Sequence, residues 1–326
     1  MNHLPDEEAS ESKLEVQKRI ADLFSTDTNR LDVDDVFLYP SGMSSISHTA
    51  EPIQHLNTNG KATVAIFGFL YVDTFKVLSK IYGFNCKLYG ATPSDLDNLE
   101  ADLADGLQLS ALFTEFPGNP LLGSVDLERL QKLSIDHDFL FVVDDTVATS
   151  QLLKDGFCDT YFPLDAIVME KNSADFEQRV ITASENAERT VKILCNHPSI
   201  EQVYYPKGNP TQNIYERYRR PGKGYGYLLS IRFKTPEAAI AFHDALDVAK
   251  GPSLGTNFTL CCAYTLFAHF SELDWAAKYG VVEHLVRISV GIESQEALDE
   301  LVKTALDAAL HALGTREEFS YMAGKL

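Results

Sequence analysis

The chain has 326 residues, 45% apolar and 23% charged, the balance of a soluble globular protein with a large core and room for two domains. A formal net charge of −19 argues against nucleic acid and anionic membrane surfaces as partners. Five widely spaced cysteines (Cys86, Cys158, Cys195, Cys261, Cys262), with no CxxC pair, fit reduced thiols of a cytoplasmic protein better than a disulfide frame or a zinc site.

The N-terminal MNHLPDEEASESKLEV is acidic and polar, unlike a signal or basic transit peptide, and no apolar run approaches a membrane span. Residues 1–14 read as a disordered tail, and an amphipathic helix follows at Leu14–Phe24. Strand and helix signals then alternate. Val36–Tyr39 is extended and meets Pro40-Ser41-Gly42-Met43, which opens a helix through His48. Thr63–Phe67 predicts a strand, Asp73–Lys80 a helix, Asn85–Tyr89 a strand and Pro93–Leu103 a helix. A strand at Leu109–Phe113 ends in Glu115-Phe-Pro-Gly-Asn-Pro-Leu121, Asp126–Asp136 is a helix, and Phe139–Val143 runs straight into Asp144-Asp145-Thr146. That run is apolar without alternation, which predicts a strand buried on both faces of a parallel sheet. The whole alternation predicts an α/β fold with a doubly wound, mostly parallel sheet.

After Thr146 the pattern breaks. More strands and crossovers are expected, yet residues 147–160 pass quickly to Tyr161-Phe-Pro163, which leaves the sheet truncated. A nearly unbroken helix from about Asp165 to Cys195 follows. Strands at Ile200–Tyr205, Tyr225–Phe233 and Leu285–Gly291, with helices at Pro236–Leu246 and Ser294–Leu313, then predict a smaller C-terminal α+β domain with an antiparallel sheet. The expected divisions are a tail at 1–14, a large domain at 15–163, a connecting helix at 164–197, the small domain at 198–315 and a tail at 316–326.

Several residues invite a chemical reading, each beside a plainer one. Asp144 stands where a parallel strand would deliver an acid to a ligand, or it caps the next helix. Ser41-Gly42-Met43 sits at a strand-to-helix turn whose free N–H groups suit a phosphate, although most Ser-Gly turns hold nothing. Phe67 could stack on a flat ring or belong to the core. Asn119 could bind a ligand or shape a turn. Arg287 lies in the apolar run Leu285-Val-Arg-Ile-Ser-Val-Gly291, where a cation wants a carboxylate, unless it faces outward from an edge strand. Together these suggest a pyridoxal phosphate site, with an acid at the ring nitrogen making the ring an electron sink.

The sequence resembles the cystathionine γ-synthase group of pyridoxal phosphate enzymes of Cys and Met metabolism, most closely the fungal γ-synthases, from about Leu14 to Leu313. The resemblance rests on Tyr39-Pro-Ser-Gly-Met43, Phe67-Gly-Phe-Leu-Tyr71, Glu115-Phe-Pro-Gly-Asn-Pro-Leu121, Val142-Val-Asp-Asp-Thr146, the Phe162–Ser173 and Ala249–Thr259 stretches, and Leu285-Val-Arg-Ile-Ser-Val-Gly-Ile-Glu293. It implies a fold-type-I transferase of methionine biosynthesis and transsulfuration, performing γ-replacement on an O-acylhomoserine with cysteine, or a related γ-lyase, taking small amino-acid substrates and assembling as a homo-oligomeric dimer or tetramer. It further implies that Ser41, Gly42 and Met43 hold the phosphate, that Phe67 stacks where relatives often have Tyr, and that Asp144 pairs with the ring nitrogen. Thr146 would line the ring, and Asn119, Ser253 and Arg287 would surround the substrate carboxylate. No metal is expected, since no Cys/His cluster has ligand spacing.

One departure stands against these matches. The family's Ser-x-Thr-Lys, whose lysine forms the Schiff base with the cofactor and serves as acid/base, occurs nowhere in this chain. Lys154 comes too early and Lys171 falls at an ordinary surface position of the resemblance. Several dozen residues that relatives carry are missing near 158–161. Either a segment is absent from the sequence as written, or the chain is a degenerate homologue that binds a ligand or an intact paralogue without turnover.

Overall fold

The computed structural model describes residues 6–56, 61–146 and 161–323. The chain divides into two compact units, one comprising Met1–Glu115 and Asp126–Phe176 and the other Phe116–Val125 and Glu177–Leu326.

In the first unit the strands are β1 (Thr63–Phe67), β2 (Asn85–Tyr89), β3 (Ala111–Glu115) and β4 (Leu140–Asp144), all parallel in the order β2-β1-β3-β4. The helices are α1 (Asp6–Phe24), α2 (Gly42–Leu56), α3 (Val72–Lys76, continued by a π-helical turn at Val77–Ile81), α4 (Pro93–Ala104), α5 (Leu127–Asp136) and α6 (Pro163–Asn172). Local chemistry sets several boundaries. Thr92 and Asp95 form a reciprocal capping box ahead of Pro93, and Asp126 caps α5 through the Arg129 N–H at 3.2 Å. Val64 and Ile66 join Ala50 and Ile53 of α2 in one apolar cluster. Ala65 and Phe67 alternate with them and therefore face the other side, and all four strand residues are buried, so this sheet is covered on both faces.

Three expectations for this unit are corrected. The tail expected at residues 1–14 is helical from Asp6. Acidic residues Asp6, Glu7 and Glu8 in its first turn suit the helix dipole, and Ala9, Ser12 and Val16 are buried. Val36–Tyr39 is not part of any strand. Strand β4, expected to be buried on both faces, pairs with β3 alone among the described residues, and all five of its residues are only half-buried.

The second unit carries α7 (Phe176–Cys195), β5 (Ile200–Tyr204), α8 (Gln212–Tyr218), β6 (Leu228–Phe233), α9 (Pro236–Ala245), β7 (Ala249–Lys250), β8 (Leu260–Ala263), α10 (Tyr264–His269), α11 (Leu273–Lys278), β9 (Leu285–Ser289) and α12 (Gln295–Ala323). Its sheet runs β5-β6-β9-β8-β7, antiparallel except between β7 and β8. Leu229, Ile231, Val286 and Ile288 pack with Leu194, Phe242, Val302 and Leu306 from α7, α9 and α12 in one core. The single connecting helix expected at 164–197 is instead two helices, parted at Ser173–Asp175 where the Ser173 hydroxyl bonds back to the Met169 carbonyl at 2.7 Å. The first joins α1 through Arg19, which donates to the Glu170 carbonyl at 2.9 Å, and the second joins the C-terminal core. The tail expected at 316–326 is helical as far as Ala323. No helix among the described residues is long and apolar enough to cross a membrane.

Candidate functional site

The carboxyl ends of the parallel strands share one end of the first sheet, because Phe67 is in register with Thr114 and Glu115 with Asp144. In open α/β sheets that end is where ligands bind. Asp144 ends β4, and its Oδ1 accepts from the Thr146 N–H at 3.0 Å and the Thr146 hydroxyl at 2.6 Å, an Asx turn that fixes the carboxylate. Ser41 caps α2 by accepting the Ser44 N–H at 3.2 Å. Gly42 opens that helix with no atom within 4 Å of a side chain built on it, and Met43 is 39% exposed. Phe67 is a core residue. It is 2% exposed, its ring lies 6.4 Å from that of its register neighbour Tyr89, and it presents no open face for stacking.

An aromatic that the sequence reading passed over does reach the surface at this end. Tyr71 is 42% exposed, and its N–H is anchored by Glu115 Oε1 at 2.5 Å. The motif Phe67-Gly-Phe-Leu-Tyr71 contains both rings, and only the strand-end position of Phe67 drew attention to it. Gly68, at φ +98°, turns the chain out of β1 and lets the later ring emerge.

Burial, and then the charge of Asp144, push the Asp145 carboxyl up to about 8 from its ordinary 3.8. The folded chain therefore keeps a proton that the unfolded chain has already released, and stability falls as pH rises from about 4 to about 8. Asp145→Asn is expected to remove that fall, so the variant gains on the parent between pH 5 and pH 8. Urea midpoints across that range test it, and parallel curves for the two proteins would count against it.

In the second unit Arg287, on β9, is 4% exposed. Its Nη1 donates to Asn119 Oδ1 at 3.2 Å, its Nη2 donates to the Pro252 carbonyl, and the guanidinium lies 5.0 Å from the centre of the Tyr264 ring. Asn119 Nδ2 in turn donates to the Tyr264 hydroxyl at 3.2 Å, closing a triangle of three side chains. The bland alternative of an outward-facing Arg on an edge strand does not apply, since β9 lies between β6 and β8. Ser253 is exposed and follows Pro252 directly, in a segment tied to β9 by the Gly255 N–H donating to Ser289 Oγ at 3.0 Å. Tyr264 gave no sequence signal, because the four-residue β8 that delivers it is too short to show a period. Lys154 lies outside the described residues, as do residues 158–160 of the expected break.

The residues present fit part of pyridoxal phosphate. An open helix start at Gly42 suits the phosphate and a strand-end carboxylate at Asp144 suits the ring nitrogen, but no lysine stands in the family's pattern to hold the aldehyde carbon.

A parallel sheet with an acid at its carboxyl end, followed by an antiparallel sheet holding a buried arginine, is the architecture of a fold-type-I pyridoxal phosphate enzyme. Solved structures agree. Cystathionine γ-synthase from Xanthomonas oryzae pv. oryzae in complex with cystathionine superposes with a TM-score of 0.71 at 18% identity, covering 94% of this chain and 99% of the other. Cystathionine γ-lyase from Lactobacillus plantarum complexed with L-serine gives 0.69 at 18%, covering 82% and 84%. The chain belongs to the Cys/Met metabolism PLP-dependent enzyme family, whose profile matches residues 13–157 and 155–307. Cystathionine γ-synthase of Neurospora crassa is 40% identical over 324 residues, covering 85% of this chain and 52% of the relative. A cystathionine γ-synthase-like enzyme of Amanita muscaria, iboG2, is 38% identical over 354 residues, covering 86% and 56%. The chain thus spans about half the length of the curated relatives it matches.

Proposed function

We propose that this chain derives from a cystathionine γ-synthase-like transferase that replaces the γ-substituent of an O-acylhomoserine with cysteine, acting in the cytoplasm as a homo-oligomer. The observation that carries the reading is the triangle of buried Arg287 and Tyr264 with half-buried Asn119. A guanidinium held by an amide, a backbone carbonyl and a ring face is fixed in orientation, and a planar cation so fixed suits recognition of an amino-acid carboxylate. The Neurospora and Amanita relatives, whose names give cystathionine γ-synthase or its likeness, support the substrate class.

When bound, pyridoxal phosphate supplies an electron sink for a carbanion. This chain's own contributions are simpler. The N–H groups at the start of α2, with Ser41, Gly42 and Met43, would hold the phosphate, and the Asp144 carboxylate, locked by Thr146, would hold a proton on the ring nitrogen. Tyr71 would offer a ring face in place of Phe67, and Ser253 and Asn119 would join Arg287 around the substrate carboxylate. The acid/base lysine is missing from the sequence, so proton transfer at the substrate carbon lacks its agent here.

That absence favours one other reading, a non-catalytic homologue that binds a ligand or an intact paralogue. Intact mass of the protein from its native source, with borohydride reduction in the presence of pyridoxal phosphate, separates the two. A mass several kilodaltons above 36.2 kDa, a reducible adduct and turnover of O-acylhomoserine with cysteine are expected for the transferase. A mass of 36.2 kDa with no adduct would replace it with the non-catalytic reading.

A further inference from the structure

The turn that delivers Asn119 is held from outside itself. Residues Phe116–Val125 stand between β3 and α5 in the chain, yet they pack as part of the second unit. Within this strap the Gly118 N–H donates to the Gly123 carbonyl at 2.8 Å and the Leu122 N–H to the Gly118 carbonyl at 2.7 Å. So tight a turn places Leu122 at φ +54°, a left-handed conformation that costs a residue with a side chain. Such a residue persists only where its surroundings over-determine it. Asn209 and Thr211 supply that constraint. Asn209 Nδ2 donates to the Leu121 carbonyl at 3.2 Å, and Thr211 Oγ1 accepts the Ser124 N–H at 2.8 Å, so the pair grips the backbone on both sides of Leu122. The two are also bonded to each other, since the Thr211 hydroxyl and N–H both donate to Asn209 Oδ1, at 2.8 and 3.0 Å. That donation fixes which end of the amide faces the strap. Turned over, the amide would set its NH2 against the Thr211 N–H and lose the Leu121 carbonyl. Thr211 stands at the N-cap position of α8 but makes no side-chain cap bond, so its hydroxyl is committed to the strap and to Asn209. Phe116 adds a third anchor, its ring 5.9 Å from that of Tyr215 on α8 and nearly parallel to it.

We propose that Asn209 and Thr211 are positioning residues for the amino-acid carboxylate site. They act through the strap, setting Asn119 Oδ1 at 3.2 Å from Arg287 Nη1, the contact that helps orient the guanidinium. The inference rests on the carboxylate-binding role of Arg287. The Leu121 carbonyl that Asn209 holds is two residues from Asn119, so a loosened turn displaces that amide first. Once Asn119 withdraws, the guanidinium keeps the Pro252 carbonyl and the Tyr264 ring but loses one of the contacts that fix its plane. The bonds that the clamp supplies lie in a part-buried turn and not in the helical core of this unit, so their loss falls on ligand affinity more than on global stability.

Thr211→Val removes the hydroxyl at nearly constant volume, and Thr211→Ser keeps it. Thermal-shift titration of the 326-residue chain with cystathionine should show roughly five- to tenfold weaker binding in the Val variant and binding within about twofold of the parent in the Ser variant. Val302→Ala, in the helical core, controls for lost stability. It should lower the melting temperature and leave the affinity unchanged. Amide exchange of Gly118 and Leu122 without ligand gives a second measurement, expected to be roughly tenfold or more faster in the Val variant with β6 unchanged. Equal affinity in parent and Val variant, or an equal loss in Val302→Ala, would overturn the proposal alone, as would equal exchange at Gly118 and Leu122. No shift with cystathionine in the parent itself would overturn the carboxylate-binding role of Arg287, and the proposal with it.

Discussion

Arg287→Met is expected to lower the unfolding free energy by about 1.5–3 kcal/mol, the worth of a hydrogen bond to a charged group, since its two acceptors are only partly buried and water replaces part of what is lost. The acceptors are the Pro252 carbonyl and Asn119 Oδ1, and the methionine fills most of the volume, so the loss reports hydrogen bonding more than a cavity. Arg287→Lys separates structure from recognition. An ammonium can satisfy one of those acceptors but cannot reproduce the planar fork. On the proposed role of Arg287, losing one charge-assisted bond of about 1.5–3 kcal/mol should weaken binding of an amino-acid carboxylate roughly 10- to 150-fold. Urea unfolding checks the first expectation. Thermal-shift titration with cystathionine on parent and Lys variant checks the second. Equal ligand shifts in parent and Lys variant, with stability lowered, would reduce Arg287 to a structural role.

The sequence made the first sheet legible because its strands are short apolar runs separated by helices with clear caps. Thr92-Pro93 and Asp126 mark boundaries that the structure places within a residue of expectation. Arg287 was legible for a related reason, since a cation inside an apolar strand is informative wherever it falls. What the sequence could not deliver was relative position. Nothing in Phe139–Val143 distinguishes an inner strand from an outer one, because apolar composition records the burial a strand is built for and not the neighbour it has. Phe67 and Tyr71 show the same limit on a smaller scale. Both end the same motif, and only the turn at Gly68 decides which ring is buried beside Tyr89 and which reaches solvent. The acidic N-terminus misled for a different reason. Its charges suggested disorder, but three of them stand in the first turn of a helix, where they favour it, and small residues at Ala9 and Ser12 allow close packing.

Gly291→Ala should be among the most damaging single-methyl additions in the second unit, costing about 3 kcal/mol or more. A Cβ there would stand 2.6 Å from the Asn257 carbonyl oxygen, from Phe258 backbone carbon and from Glu293 Oε2. Two of these are backbone and cannot swing away. They also belong to the network that holds the Asn257–Thr259 segment. Glu293 accepts from the Thr259 N–H at 2.5 Å and the Thr259 hydroxyl at 2.9 Å, and the Gly291 N–H donates to Thr259 Oγ1 at 3.0 Å. The Ile292 N–H donates to the Asn257 carbonyl at 2.9 Å, and Asn186 Nδ2 holds the Gly291 carbonyl at 3.1 Å. The segment leads into β8, whose Cys262 is in register with Arg287 on β9, so on the proposed role of Arg287 ligand-induced stabilisation should fall along with stability. Gly314→Ala provides the opposite sign. Gly314 lies within α12, is exposed and has nothing within 4 Å of a new methyl, so alanine there should stabilise by about 0.5–1 kcal/mol through helix propensity. Chemical denaturation of the two variants decides the matter. A Gly291→Ala protein as stable as the parent would mean that the Asn257–Thr259 segment yields freely to the added methyl.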